Sequence, residues 1–67
     1  MIQITINGQR ESLPAATTVL GLLEARDLAG KRLAVERNGE IVPKGRHAET
    51  LIAEGDRLEI VVAVGGG

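Results

Sequence analysis

The chain closes on "VVAVGGG", and the group there with chemistry to offer is the last α-carboxylate. On Gly67 that carboxylate has no Cβ beside it. Gly65 and Gly66 let the walls of a partner close tightly on the backbone. Three residues span at most ~10 Å, enough to enter a narrow cleft. A free α-carboxylate, with an ordinary pKa of about 3.3–3.7, is ionised and a poor electrophile. Activation as an acyl-adenylate supplies a leaving group, and a sulfur nucleophile can then displace AMP to leave a thiocarboxylate. The competing reading is a frayed end, because glycine loses more backbone freedom on folding than any other residue. The glycines follow the most hydrophobic stretch of the chain, so a firmly held root is expected.

The side chains present no comparable centre. There is no Cys, so neither a disulfide, a thiol nucleophile nor a thiolate ligand exists. His47 is the only histidine and reads as a surface or turn residue; no metal site is expected. Ser12 is the only serine, and no GxSxG or phosphate-binding GxxxxGK[ST] pattern occurs. Glu54 and Asp56 read as turn residues, not as an acid–base pair. The chain is therefore not expected to be an enzyme or to bind a cofactor.

Charge and composition narrow the partners. The formal net charge is −1, and Phe, Trp and Tyr are absent. Nucleic acid thus finds neither an electrostatic grip nor a stacking platform. Arg32, Arg37, Lys44 and Arg46 form at most a modest patch, interleaved with Glu36, Glu40 and Glu49. The start "MIQITINGQ" lacks a signal-peptide pattern, and no apolar run nears the ~20 residues of a membrane span. A cytoplasmic protein is expected.

With 67 residues, one domain is the sensible count. The expected division is a domain over residues 1–64 and a flexible glycine tail over 65–67. Ile2, Ile4 and Ile6 alternate with polar residues, the period of a half-buried strand. Asn7-Gly8 is a strong hairpin signal, because a type I′ turn needs positive φ at both central residues. "QRESL" returns, with Leu13 as its core residue. "TTVLGLLEARDLAG" predicts one helix. Thr18 is its N-cap, Val19, Leu22 and Leu23 its buried face, and Gly30 its left-handed terminator. "KRLAVERNGEIVP" predicts a second hairpin around Asn38-Gly39, with Leu33 and Val35 on one face. Leu51 and Ile52 are expected to plug the core.

"RLEIVVAV" is the last strand. Leu58, Ile60, Val62 and Val64 share one face, and Glu59, Val61 and Ala63 the other. Val61 and Ala63 break the polar alternation, which suits burial by the same chain or an offered docking face equally. The first and last strands are apolar enough to be central neighbours. Two hairpins and one helix in this order give an α+β, ubiquitin-like β-grasp with a mixed sheet.

The chain also resembles the ThiS family of sulfur carriers. The resemblance rests on "TTVLGLLE" after an amino-terminal hairpin, "LAVERNGEIVP", "EGDRLEIV" and the closing "VGGG", and spans nearly the whole chain. It implies a β-grasp fold and a place in thiamin thiazole biosynthesis. It implies that an E1-like enzyme of the ThiF type uses ATP to adenylate the Gly67 carboxylate. Sulfur then arrives from a donor such as a cysteine desulfurase and passes as a thiocarboxylate to a ThiG-type thiazole synthase. Gly66 corresponds to the other half of the family's diglycine, and Gly65 to a common extra glycine. Gly21 departs from the family, where a larger helix former is usual. Two other readings share these features: a carrier for another pathway, such as molybdopterin or an amino acid, and a ubiquitin-like protein modifier.

Overall fold

The computed structural model describes residues 1–63. Five strands, one α-helix and one 3-10 turn follow in the order β1 (Ile2–Ile6), β2 (Gln9–Leu13), α1 (Val19–Ala25), β3 (Leu33–Arg37), β4 (Glu40–Val42), the 3-10 turn Lys44–Arg46, and β5 (Arg57–Val62). The sheet order is β2-β1-β5-β3-β4. β1 and β5 run parallel at the centre, and the other pairings are antiparallel. This is the expected β-grasp: a mixed sheet with one helix across it. Among the described residues, no helix is long and apolar enough to cross a membrane.

The core is aliphatic throughout. Ile4 and Ile6 of β1, Val35 of β3, and Leu58 and Ile60 of β5 meet Val19, Leu22 and Leu23 of α1, and Val42 and Ile52 close the ends. Full burial of each such side chain stabilises the fold by about 1.5–3 kcal/mol. Leu13 is only partly buried and packs on the rim of this cluster. Leu51 departs from expectation, being 56% exposed while Ile52 is 4% exposed. The cause is an isolated antiparallel bridge between Thr18 and Leu51, with the Ile52 N–H donating to the Thr17 carbonyl at 3.0 Å. Extended backbone sends successive side chains to opposite sides, so only one of the pair can enter the core.

Seven residues make a short helix, and its start is held from outside. The Thr18 hydroxyl accepts from the Gly21 N–H at 3.0 Å. The Val19 N–H donates to the Thr50 carbonyl and the Leu20 N–H to that of His47, both at 2.9 Å. The donors that a helix N-terminus leaves unpaired are thus satisfied by the Thr18 cap and by the segment before β5. Gly21 has a local reason: a Cβ there would stand 3.3 Å from the capping Thr18 Oγ1, a tight contact.

The helix ends earlier than expected. Asp27, at φ 60°, is the left-handed residue. The Leu28 N–H donates to the Leu23 carbonyl and the Asp27 N–H to that of Glu24. That is a Schellman termination, with Leu28 folding back onto the core. Gly30 also has positive φ but belongs to the following turn, where the Lys31 N–H donates to the Leu28 carbonyl. An Arg26–Glu11 ion pair ties the helix end to β2.

His47 lies in a turn, as expected, but at 7% exposure it is buried and not on the surface. Its Nε2 lies 3.1 Å from the Val42 carbonyl, which can only accept, so Nε2 carries the proton and donates. With its own carbonyl receiving from Leu20, this residue joins the 3-10 segment to both β4 and α1.

Both Asn-Gly turns form as expected, with positive φ at Asn7, Gly8, Asn38 and Gly39. Their side chains do something further: both grip β5. Asn7 Nδ2 donates to the Ile60 carbonyl at 3.1 Å, and the Ile60 N–H donates to Asn7 Oδ1 at 2.8 Å. This amide continues the parallel ladder after β1 has turned away. Asn38 Oδ1 accepts from the Arg57 N–H at 2.9 Å, and its backbone N–H donates to the Arg57 carbonyl at 2.7 Å.

Asp56 completes the grip. Its carboxylate accepts from Arg37 Nε at 2.7 Å, the Ala53 N–H at 2.8 Å and Asn38 Nδ2 at 3.0 Å. Burial opposes its ionisation. The Ala53 N–H, the Arg37 guanidinium and the Asn38 amide outweigh burial and hold the carboxyl below its usual range.

Two outcomes follow for stability. Asn7→Gly keeps the left-handed turn but loses both bonds to Ile60, so it should cost about 1–3 kcal/mol. The midpoint of urea unfolding measures this, and an unchanged midpoint would remove the side chain from the account. Asp56 has a depressed folded-state pKa, so its contribution is complete above the unfolded value of about 3.9 and is lost as pH falls through the folded value. The stability gap between the native chain and Asp56→Asn should therefore be full near neutrality and narrow below about pH 4. A gap independent of pH would contradict the assignment.

Candidate functional site

β5 carries the site because it is both central and last. Its inner residues, Leu58 and Ile60, are buried. Each is matched across the antiparallel ladder by a residue of β3: Leu58 by Arg37 and Ile60 by Val35. Cross-strand partners share a face. The outer face of this ladder therefore presents Ala34 beside Val61 and Glu36 beside Glu59, with Ile41 of β4 next to Glu36.

Val61 is 65% exposed and Ile41 61%. Among the described residues nothing covers Val61. Ala63 is exposed too. The strand ends at Val62, two residues short of the run read from the sequence. Val62 sits opposite Leu33 on the core side, but at 38% exposure it lies at the rim. The Ala63 N–H still donates to the Arg32 carbonyl at 2.9 Å. Val64, Gly65, Gly66 and Gly67 lie outside the described residues, and so does the expected boundary between domain and tail.

The basic patch read from the sequence does not assemble as expected. Arg37 is drawn to Asp56 at 2.7 Å. Arg32 and Lys44 instead meet Lys31, which sequence reasoning did not single out, around a groove floored by Leu33, Ala34 and Val61. A deeper apolar pocket between α1 and the 3-10 turn shares Lys31, Leu33 and Lys44 with it. Proximity in sequence could have paired Lys31 with Arg32. Lys44 arrives only because the β3–β4 hairpin folds the chain back.

Among the described residues, no group of His, Asp and Glu could hold a metal ion. Glu54 and Asp56 serve the turn before β5. Glu54 Oε1 accepts from the Gln3 N–H at 3.0 Å, and the Gly55 N–H donates to the Gln3 carbonyl at 2.8 Å. His47, Glu54 and Asp56 are each occupied by backbone partners. What the geometry presents is an exposed apolar pair, Val61 and Ala63, at the end of the central strand, followed in the sequence by the glycines.

Comparison with known proteins agrees with the fold. The sequence model of the ThiS family matches residues 3–67. The chain is 42% identical over 66 residues to a protein of Paramagnetospirillum magneticum named thiazole synthase, covering 98% of this chain and 20% of that protein. The chain thus spans only 20% of the length of the thiazole synthase it matches. It is 44% identical over 50 residues to the sulfur carrier protein ThiS of Bacillus subtilis, covering 75% and 76% of the two chains. The crystal structure of the thiamine biosynthesis protein ThiS from Geobacter metallireducens superposes with a TM-score of 0.83 at 29% identity, covering 98% of this chain and 100% of that one. With its family match running from the first strand through the terminal glycines, the chain belongs to the ThiS family.

Proposed function

We propose that this chain carries sulfur as a thiocarboxylate on Gly67 and delivers it for thiazole formation in thiamin biosynthesis. As a member of its family it is a carrier acted on by enzymes, not a catalyst. The observation that carries the reading is that the family match runs through Gly65, Gly66 and Gly67 and is not confined to the folded strands. The order of events follows from the chemistry of a carboxylate. An E1-like enzyme of the ThiF type brings the Gly67 carboxylate to ATP. The carboxylate oxygen attacks the α-phosphorus, and pyrophosphate leaves. A persulfide sulfur, formed by a cysteine desulfurase, attacks the acyl carbon and expels AMP. A second thiol attacks the enzyme-bound sulfur of the acyl–S–S bond and is oxidised to a disulfide with it, and the thiocarboxylate leaves.

The acceptor in this reading is a thiazole synthase of the ThiG type. In the Paramagnetospirillum relative, a segment like this chain is part of the polypeptide named thiazole synthase. Joining a carrier to its acceptor raises their effective concentration, which suits a pair that must meet. The strip of Val61 and Ala63, with Val64 beyond it, is the face that docks on these enzymes. Adenylation and sulfur transfer both take place in the cytoplasm.

The tail must place one carboxylate carbon with precision. A productive approach brings reacting atoms to ~3–3.5 Å, and one residue displaces an extended chain by about as much. Deleting Gly67, or appending one alanine after it, should abolish sulfur loading and leave thermal stability unchanged. Gly66→Ala should slow loading by adding a Cβ inside the cleft. The assay is incubation with ATP, the E1-like enzyme, cysteine desulfurase and cysteine, read by intact mass. Full loading of both length variants would overturn the proposal.

A further inference from the structure

The cations around the root of the tail are unexplained by the fold. Lys31, Arg32 and Lys44 are exposed and surround one groove. Among the described residues none of the three forms an ion pair, whereas Arg26 and Arg37 both do. Gathering like charges opposes folding slightly, so the cluster does not serve stability. Its position is informative. The last described backbone bond, from Ala63 to Arg32, lies within it. A partner that takes up the segment after Ala63 meets these three side chains beside it.

The chemistry of the occupant can be narrowed. Four residues separate Ala63 from the Gly67 carboxylate, a reach of up to ~13–14 Å when extended. Cations at the root of an inserted tail thus lie outside the nucleotide pocket, at the mouth of the cleft. The groove floor is apolar, formed by Leu33, Ala34 and Val61, and fits protein side chains better than a bare phosphate. The geometry points to an acidic rim at the mouth of the adenylating enzyme's cleft, which Lys31, Arg32 and Lys44 engage and which steers the tail inward. This rests on the carrier reading above and adds the electrostatic character of its partner. Rim charges of this kind act on the rate of association and its salt dependence more than on dissociation.

The test is stopped-flow or surface-based association of the whole chain with the E1-like enzyme from the same genome. Lys31→Glu and Lys44→Glu should each slow association by about fivefold or more at low salt, and Arg10→Glu, an equal charge change on the exposed far edge, by less than about twofold. Raising salt from about 25 mM to about 300 mM should slow the native chain and erase the differences. Binding of the native chain with equal, salt-independent rates for all variants would overturn this inference and leave the carrier reading intact. Failure of the native chain to bind at all would sink the carrier reading and this inference with it. Retention on heparin that only the Lys31 and Lys44 variants lose, with unchanged enzyme association, would assign the cations to a polyanion and also overturn the inference.

Discussion

Two asparagine side chains extend the pairing of the last strand beyond its ladders with β1 and β3. β5 shares only a short parallel ladder with β1, registered at Thr5–Arg57 and Ile6–Leu58. Past that point β1 has turned away, and the amide of Asn7 supplies the donor and acceptor that Ile60 needs. Asn38 does the same for Arg57 from the other hairpin. At buried Ile60, such backbone groups left unpaired would cost about 1–3 kcal/mol each. The two turns that look alike in the sequence are therefore two clamps on one strand. In the proposed reading the function hangs from that strand, because the chain runs from it to Gly67.

Much of the fold was legible because its signals are local. Alternation in Ile2–Ile6, positive φ at the Asn-Gly pairs and the Thr18 cap each follow from a few neighbouring residues. What was not legible depends on tertiary partners. Asp27 ends the helix in place of Gly30 because Leu28 can then fold back onto the core, a gain invisible to a rule that prefers glycine. His47 is buried because the Val42 carbonyl and the helix N-terminus converge on it from two other elements. Leu51 and Ile52 compete for one place in the core, and the bridge to Thr18 selects Ile52.

The candidate site divides in the same way. Val61 announced itself by breaking an alternation, and the described residues leave it exposed. The cation cluster was misgrouped because Arg37 is claimed by Asp56 and Lys31 is brought to Lys44 by a hairpin. In the proposed reading the reactive group is main-chain, at Gly67, a position that the sequence singles out and the family match includes.

The central claim is a covalent one, that sulfur replaces oxygen at the end of this chain in the cell. Intact mass of the chain isolated from its own host during growth without thiamin tests it most directly. The account predicts a population heavier by the difference between one sulfur and one oxygen, with the added mass confined to the peptide that ends at Gly67. A chain found only as the plain carboxylate, or joined through Gly67 to lysines of other proteins, would contradict it.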